Sequence, residues 1–254
     1  MANAVRASLE TALRVRKLDR TLTTALPALE RMDDAAVVPV DVAAVDRCLR
    51  GGLPRGQLSE IAGPCSSGRT TLLLHLMAAA TRRGEIVALV DTLDRLDVAS
   101  VAAAGVDLDR MLWMRPPSPS ASARQVPPSL SATAGPTEPI ERALKALNLV
   151  LQAGGFGVVA IDLADVSPAT LRQIPFTTWL RVQRVIEGSD TACLLLTSEP
   201  LARSAGGLTI ALAGRTTWAG DSSRSRRLAG IDVRVRVMSP RRRVDGEVDV
   251  RAFA

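Results

Sequence analysis

Nine consecutive residues have the types and the spacing of a loop that binds phosphate groups. They are Gly63, Pro64, Cys65, Ser66, Ser67, Gly68, Arg69, Thr70 and Thr71, and they lie between a predicted strand and a predicted helix. The glycines allow backbone N–H groups to turn inward around phosphate oxygens, and the start of the helix adds the positive end of its dipole. The hydroxyl of Thr70 is the group that would ligate Mg²⁺. The motif therefore predicts a site for ATP and Mg²⁺.

Arg69 departs from this pattern, because such loops normally carry lysine at this position. Arginine keeps the positive charge, but its side chain is longer, planar and forked, so it cannot take the place of a compact ammonium without displacing something. We therefore expect weakened nucleotide binding and slow hydrolysis. The second magnesium-binding group should be an acid at the end of an apolar strand, and Asp162 in VVAID meets that description.

Strand and helix patterns alternate along most of the chain, with continuous apolar runs at the strands. After an extended segment at 36–41, the predicted strands are 57–63, 85–92, 111–115, 156–163 and 191–198, and the predicted helices are 42–50, 70–84, 95–104, 138–153 and 168–187. The final segments LTIALAG, IDVRVRVM and EVDVRAFA alternate apolar and polar residues instead. These patterns predict an α/β fold whose central sheet is mostly parallel, with antiparallel C-terminal strands and flanking helices.

The predicted domain organisation has two parts. Residues 1–34 carry apolar side chains at near-helical intervals with a basic face, which predicts an amphipathic helix that docks onto a partner or onto a second copy of the chain. Residues 35–254 form the core. Within it, residues 115–139 contain seven prolines and five serines, a composition that predicts a disordered insertion.

The chain is basic, with a net charge of +6 and a pI of about 10.4. This balance favours an acidic partner such as DNA. The candidate surface for DNA or a partner protein consists of Arg224, Arg226, Arg227, Arg241, Arg242 and Arg243. Acidic residues are interleaved with these arginines, so a solvated strand face is an equal alternative. Trp179 and Trp218 lie near the loops where single-stranded DNA would pass, and both are interpreted as packing residues.

Other classes of protein are excluded or disfavoured by the pattern. Cys48, Cys65 and Cys193 are far apart and form no CxxC or Cys/His motif, so neither a zinc site nor a disulfide framework is indicated. The N-terminus lacks the apolar segment of a signal peptide, and we find no uncharged apolar stretch long enough for a membrane span. We therefore expect a reduced, cytoplasmic protein without a membrane partner.

The segment that begins GGLPRGQLSEIAGPCSSGRTT and ends GVDLDRMLW, residues 51–113, resembles the nucleotide-binding core of bacterial RecA recombinases. A weaker resemblance continues through Asp162 and TACLLLTSE to the terminal strands. It implies a RecA-like fold in which Thr70 and Asp162 hold magnesium. In position, the N-terminal helix corresponds to the one that RecA uses to dock onto its neighbour in a filament.

Departures from the RecA pattern fall on the residues that the resemblance makes catalytic. The position of the family's catalytic glutamate is Leu93, so the hydrolytic base is missing unless Asp94 substitutes for it. Ser198 and Glu199 stand where RecA has a glutamine that senses the γ-phosphate. The DNA-contacting loops do not match, and RecA's separate C-terminal domain has no counterpart. These losses predict a protein that is not a working recombinase.

Within RecA-like proteins, the chain most resembles the ImuA (SulA-like) proteins of bacterial mutagenesis cassettes. That resemblance implies an accessory role in damage-induced DNA repair and translesion synthesis, with an ImuB-like polymerase-associated protein or RecA as the partner. Two alternatives stay open at this point. One is a DNA-dependent ATPase of the RecA type with Asp94 as the base, and the other is a nucleotide-gated regulator without DNA contact.

Overall fold

The structure, a computed structural model, describes residues 36–116, 138–202, 207–222 and 224–238 in full, and the backbone of residues 246–253. The strands are β1 (Val37–Val38), β2 (Leu53–Pro54), β3 (Leu58–Ala62), β4 (Val87–Asp91), β5 (Met111–Met114), β6 (Val158–Asp162), β7 (Ala192–Thr197), β8 (Thr209–Ala219), β9 (Arg227–Met238) and β10 (Gly246–Phe253). The α-helices are α1 (Ala43–Leu49), α2 (Arg69–Arg82), α3 (Val98–Ala103), α4 (Glu138–Ala153), α5 (Pro168–Leu171) and α6 (Phe176–Ile186).

One mixed sheet organises the described residues, with the strand order β10-β9-β8-β3-β7-β6-β4-β5. Strands β3 to β8 are parallel to one another, whereas β9 is antiparallel to both β8 and β10. The predicted α/β fold with a mostly parallel sheet and antiparallel C-terminal strands is confirmed. The period-two pattern predicted that all three C-terminal strands are antiparallel. Strand β8 is parallel to β3, so the antiparallel pairing begins only between β8 and β9.

Helices cover both faces of the sheet, and each face has its own apolar core. Helices α1, α2 and α3 pack on one face against residues such as Ile61 and Leu194. Helices α4, α5 and α6 pack on the other face against their strand neighbours, such as Leu58 and Leu195. Successive strand residues point to opposite faces, so the continuous apolar runs supply both cores at once.

A short two-stranded sheet precedes the main one, and a glycine allows the chain between its strands to approach the backbone of β1. Strands β1 and β2 pair so that Val38 lies opposite Leu53. Between them, α1 ends at Arg50, which has φ of 58°. A Cβ atom at position 52 would lie 2.2 Å from the carbonyl oxygen of Val38, so the second residue of the Gly51-Gly52 pair has to be glycine.

The helix predicted over 168–187 is wrong as a single element. It consists of two helices, α5 and α6, separated at Arg172–Pro175. Proline lacks a backbone N–H and disfavours helical geometry in the residue before it, so Pro175 ends the first helix region and serves as the N-cap of the second.

Several predictions fall outside the described residues. They are the N-terminal helix and its boundary with the core, residues 117–137 of the Pro/Ser-rich segment, and Arg241, Arg242 and Arg243. Among the helices that the structure describes, none combines the length and the apolarity that crossing a bilayer requires.

Candidate nucleotide-binding site

The phosphate loop connects β3 to α2 at the carboxyl edge of the parallel strands. Ser66 and Gly68 have positive φ angles of 60° and 89°. Gly68 is also the N-cap of α2, where no side chain accepts a hydrogen bond from the first turn. The first N–H groups of a helix have no partner within the helix, so an anion bound here would satisfy them. The loop therefore has the backbone geometry of a phosphate cradle.

Strand β8 supports this loop from the side, and glycine allows the close approach. A Cβ atom at position 63 would lie 2.6 Å from the carbonyl oxygen of Leu212. A Cβ atom at position 214 would lie 2.5 Å from the carbonyl oxygen of Ser66 and 2.8 Å from Cα of Ser67. Gly63 and Gly214 are thus required where the phosphate loop and β8 touch, backbone against backbone.

We expect Gly214→Ala to lower the free energy of unfolding by about 1–3 kcal/mol, because the new methyl group can be accommodated only if the backbone of Ser66 and Ser67 moves. Urea denaturation measures the effect. Ala213→Val is the matched control, since Ala213 is the preceding residue of the strand and is exposed. Equal stability of the two variants would show that the backbone of Ser66 and Ser67 can move without lowering the free energy of unfolding.

Arg69 is buried, with 7% of its surface exposed. Its Nη1 donates hydrogen bonds to the carbonyl oxygens of Thr197, at 2.9 Å, and Ala164, at 3.4 Å. The guanidinium therefore joins the end of β7 to the turn after β6. Its neighbours in the loop, Pro64, Cys65, Ser66, Thr70 and Thr71, are exposed.

Two aspartates end neighbouring strands beside this guanidinium. Asp91 and Asp162 occupy paired positions at the ends of β4 and β6. Oδ1 of Asp162 accepts a hydrogen bond from the N–H of Ala164 at 2.8 Å. Burial raises the pKa of the Asp162 carboxyl above its ordinary value; the charges of Asp91 and Asp165 add to this, while the N–H of Ala164 and the guanidinium of Arg69 oppose it. A carboxylate so placed is stabilised by a nearby cation.

Both carboxylate oxygens of Asp91 accept hydrogen bonds from neighbouring residues. Its two carboxylate oxygens accept hydrogen bonds from the N–H groups of Arg95 and Leu96, each at 2.9 Å, and from the indole N–H of Trp113 at 3.2 Å. The side chain is 3% exposed. Asp91 therefore shapes the loop after β4, and the sequence offered no sign of this role beyond an acid at the end of an apolar strand.

Leu93 and Asp94 lie on that loop. Leu93 is 36% exposed and offers no group that could accept a proton. Asp94 has a φ of 57°, and its carboxylate forms an ion pair with Arg115 at 2.8 Å. The guanidinium of Arg115 also lies over the ring of Trp113, 4.7 Å from its centroid. Asp94, the acid that sequence analysis offered as a substitute for the missing base, is thus held in an ion pair.

Four buried hydroxyl oxygens belong to residues at the carboxyl end of β7 or in the connections that follow β3, β4 and β7. They belong to Ser67, Thr92, Thr197 and Ser198, and within the described part of the chain they have no hydrogen-bond partner. Buried hydroxyl groups nearly always find partners in folded proteins. Their presence at the carboxyl edge, the edge that also carries the phosphate loop, fits an edge that accommodates a polar ligand. Glu199, the next residue after Ser198, forms an ion pair with Arg172 at 2.8 Å.

Glu60 is a residue that sequence analysis missed. It lies in the middle of β3 and is completely buried. Oε2 accepts hydrogen bonds from the N–H groups of Leu201 and Ala202, at 2.9 and 2.8 Å, and Oε1 accepts one from the hydroxyl of Thr209 at 2.6 Å. The carboxylate thereby holds residues 201–202 of the connection after β7, and the first residue of β8, against β3. A glutamate inside the apolar strand LSEIA was the signal that could have revealed it.

The basic surface divides into two regions of different character. Along β9 and β10 the register places opposite charges at paired positions, Arg236 with Glu247 and Arg234 with Asp249. This arrangement favours the interpretation of a solvated strand face. Arg224, Arg226 and Arg227 lie farther out, at the tip of the β8–β9 hairpin, and are exposed. The structure thus separates these three residues from Arg234 and Arg236, which lie farther along β9.

The two tryptophans near the site also differ. Trp179 is 1% exposed and belongs to the core on the α4–α6 face, so its interpretation as a packing residue is confirmed. The same interpretation is wrong for Trp218, which is 52% exposed near the end of β8.

Taken together, the described residues fit a nucleotide through the backbone of the phosphate loop. Thr70 and Asp162 would hold Mg²⁺, and the first turn of α2 would hold the phosphates. The residues do not fit rapid hydrolysis, because no free acid lies at the position of the base. This arrangement can bind and retain a phosphate group more readily than it can activate water.

Comparison with known proteins supports the same architecture. Residues 20–126 match the model of the RecA N-terminal domain. Protein RecA of Syntrophus aciditrophicus is 42% identical over 92 residues, which are 36% of this chain and 27% of that protein. Protein RecA of Acidothermus cellulolyticus is 36% identical over 141 residues, 53% of this chain and 35% of that protein.

A third relative, Protein RecA of Salinispora tropica, is 35% identical over 130 residues, covering 51% of this chain and 31% of that protein. The matched region therefore spans about a quarter to a third of the length of these relatives. The matches and the strand order together support a RecA-like family and a RecA-like fold for this chain.

Proposed function

We propose that this RecA-like chain is a non-recombinase accessory protein of damage-induced DNA repair and translesion mutagenesis. It acts by binding partner proteins and turns over ATP weakly or not at all. The observation that carries this proposal is the place of Arg69, whose guanidinium is buried against the carbonyl oxygens of Thr197 and Ala164. A buried cation that is bound by two carbonyl oxygens is not available to a γ-phosphate as the usual lysine is.

Nucleotide binding is part of the proposal, because the cradle is intact. The uncapped first turn of α2 and the positive φ angles of Ser66 and Gly68 supply N–H donors that face an anion. ATP with Mg²⁺, when bound, supplies a phosphoryl group whose charge the metal shields. In this chain the loop backbone would position that group, while the hydroxyl of Thr70 and the carboxylate of Asp162 would orient the metal.

Slow turnover follows from the loop after β4. General-base catalysis contributes roughly 10²–10⁴-fold to reactions of this kind, and a leucine cannot supply it. Asp91 is saturated by three donors, and Asp94 is paired with Arg115. No free carboxylate among the described residues of this loop could take a proton from water.

The DNA-repair part of the proposal rests on the RecA-like core and on the resemblance to ImuA proteins. The partner would be an ImuB-like polymerase-associated protein or RecA itself, in the cytoplasm. DNA contact, if the chain makes any, would use the arginines at the tip of the β8–β9 hairpin. Self-association through residues 1–34 belongs to the same proposal.

Equilibrium binding and turnover of ATP, each with and without single-stranded DNA, test the proposal. We expect Mg-ATP to bind with a Kd of about 0.1 mM or weaker, Thr70→Ala to weaken binding about tenfold, and turnover to stay at the background rate. Thr177→Ala, at an exposed threonine of α6, is the matched control and should leave binding unchanged.

The outcomes separate the candidate functions. DNA-stimulated turnover that Thr70→Ala abolishes would establish the ATPase alternative in place of our proposal. Binding of ATP that changes association with a protein partner, with no effect of DNA, would identify a nucleotide-gated regulator. Absence of binding at millimolar ATP would remove the nucleotide from the proposal and leave a protein that acts only as a scaffold.

A further inference from the structure

The outer part of the β8–β9 hairpin, residues 215–231, is called the ribbon below; Ser223 lies outside the described residues. Strand β3 pairs with β8 only as far as Ala211, and β10 pairs with β9 only as far as Gly230. Within the described part of the chain, β8 beyond Ala211 is paired with β9 alone. Among the described residues, the part of the ribbon beyond Thr217 and Gly230 therefore consists of two strands alone.

The ribbon leaves the sheet at the phosphate loop. Strand β8 is parallel to β3 and continues past the end of β3, where Gly214 touches Ser66 and Ser67. Residues two apart on a strand share a face, so Trp218 lies on the same face as Gly214, about 13 Å farther along the strand. The ribbon and the candidate nucleotide site thus share one edge of the molecule.

One face of the ribbon carries an exposed apolar pair. Trp218 and Leu228 are direct cross-strand partners, next to the register shift at Thr217, and they are 52% and 43% exposed. Thr216 pairs with the half-buried Ile231 on the same face, which continues to the core at Val233. A large exposed aromatic beside an exposed leucine is the kind of anchor that protein interfaces bury.

Positive charge is distributed along the ribbon, over both of its faces. The ribbon contains four arginines, Arg215, Arg224, Arg226 and Arg227, and a single acid, Asp221. All four arginines are exposed, and the guanidinium of Arg226 lies over the indole of Trp218, 5.6 Å from its centroid. An exposed apolar pair with Arg226 against its ring, on a ribbon with an excess of arginine, is complementary to an acidic segment that carries an apolar side chain.

We propose that the ribbon is the docking surface for an acidic segment of a partner protein, which places a large apolar side chain against Trp218 and Leu228 and its carboxylates beside the arginines. The proposal rests on the proposed function in one respect, that partner binding is the task of the chain. Single-stranded nucleic acid is a poorer occupant, because it needs successive rings for successive bases. Trp218 is the only aromatic residue of the ribbon, and Arg226 lies over its ring.

The docking proposal is tested by selecting peptides that bind the full chain from a displayed library of random 12-residue sequences. We expect the enriched peptides to combine several acidic residues with a large apolar residue. Synthetic copies should bind at least about tenfold more weakly to Trp218→Ala, and about threefold more weakly to Arg226→Ala. Leu180→Ala and Arg181→Ala, at exposed positions of α6, are the matched controls and should bind as the unaltered chain does.

Circular dichroism of Trp218→Ala distinguishes lost docking from lost folding, and Leu228→Ala provides a second, milder truncation of the same anchor. Peptides without acidic residues, binding that survives Trp218→Ala in the folded variant, or the absence of any enriched peptide would overturn the proposal. So would a ribbon that binds oligothymidine or a second copy of the chain in a manner lost in Trp218→Ala. None of these results depends on ATP, so they leave the turnover experiment as an independent test of the proposed function.

Discussion

The double variant Arg69→Lys, Leu93→Glu is expected to hydrolyse ATP about a hundredfold faster than the unaltered chain. Each substitution restores one missing element. Lysine carries a compact ammonium in place of the guanidinium that binds Thr197 and Ala164. Glutamate at position 93 brings a carboxylate to an exposed site, so it enters without a burial penalty. Steady-state phosphate release measures the gain.

The two single variants should differ in the kinetic parameter that they change. Arg69→Lys alone is expected to lower KM, because it changes how the phosphates are held. Leu93→Glu raises kcat only when the phosphate is correctly placed, so its effect should be larger in the Arg69→Lys background than alone. Position 69 therefore affects placement of the phosphate, and position 93 affects activation of water once the phosphate is in place.

Arg69→Lys, Leu93→Gln is the matched control, since glutamine has the shape of glutamate and cannot act as a base. If this variant hydrolyses ATP as fast as the glutamate variant, the gain does not come from a restored base. If neither variant exceeds the unaltered chain, the site has lost more than these two groups, and the absence of turnover has another cause.

Glu60→Ala is expected to lower the free energy of unfolding by about 3 kcal/mol or more. Three donors would lose their acceptor at once: the N–H groups of Leu201 and Ala202 and the hydroxyl of Thr209. The carboxylate is fully buried, so water cannot easily replace it. Denaturation in urea, followed by circular dichroism, measures the loss.

Two controls locate the cause of that loss. Thr209→Val removes one donor and keeps the acceptor with its two backbone partners, so we expect a loss of about 1 kcal/mol. Glu199→Ala removes a carboxylate whose ion pair with Arg172 is exposed, and should cost less than about 1 kcal/mol. A Glu60→Ala protein as stable as the Glu199→Ala protein would show that the buried hydrogen bonds contribute no net stability.

Much of the fold was predictable because it follows from local patterns. The helix over 138–153 has the predicted bounds, and the other core strands and helices differ from their predictions by a few residues at the ends. The exception is the region 168–187, which Pro175 divides into two helices. The conformation of the phosphate loop was likewise predictable, since it depends on glycine and on the start of the next helix.

Other features of the site could not be predicted, because they arise from residues far apart in the chain. Nothing near Arg69 in the sequence indicates that its guanidinium contacts Thr197 and Ala164. The exposure of Trp218 depends on how far β8 extends beyond β3, which is a property of strand pairing. Local pattern carries no information on such distances.

The amino-acid sequence by itself determined that this chain has a phosphate loop on a mostly parallel sheet, with arginine in place of lysine and leucine at the position of the base. These are properties of residue type and short-range spacing. Only the tertiary structure decided that Arg69 binds the carbonyl oxygen of Thr197 and that Asp94 is paired with Arg115. It also decided that the ribbon leaves the sheet where Gly214 contacts the phosphate loop. The physical reason is that hydrogen bonds, ion pairs and exposure depend on which strands lie side by side, and that order is set by packing of the whole core.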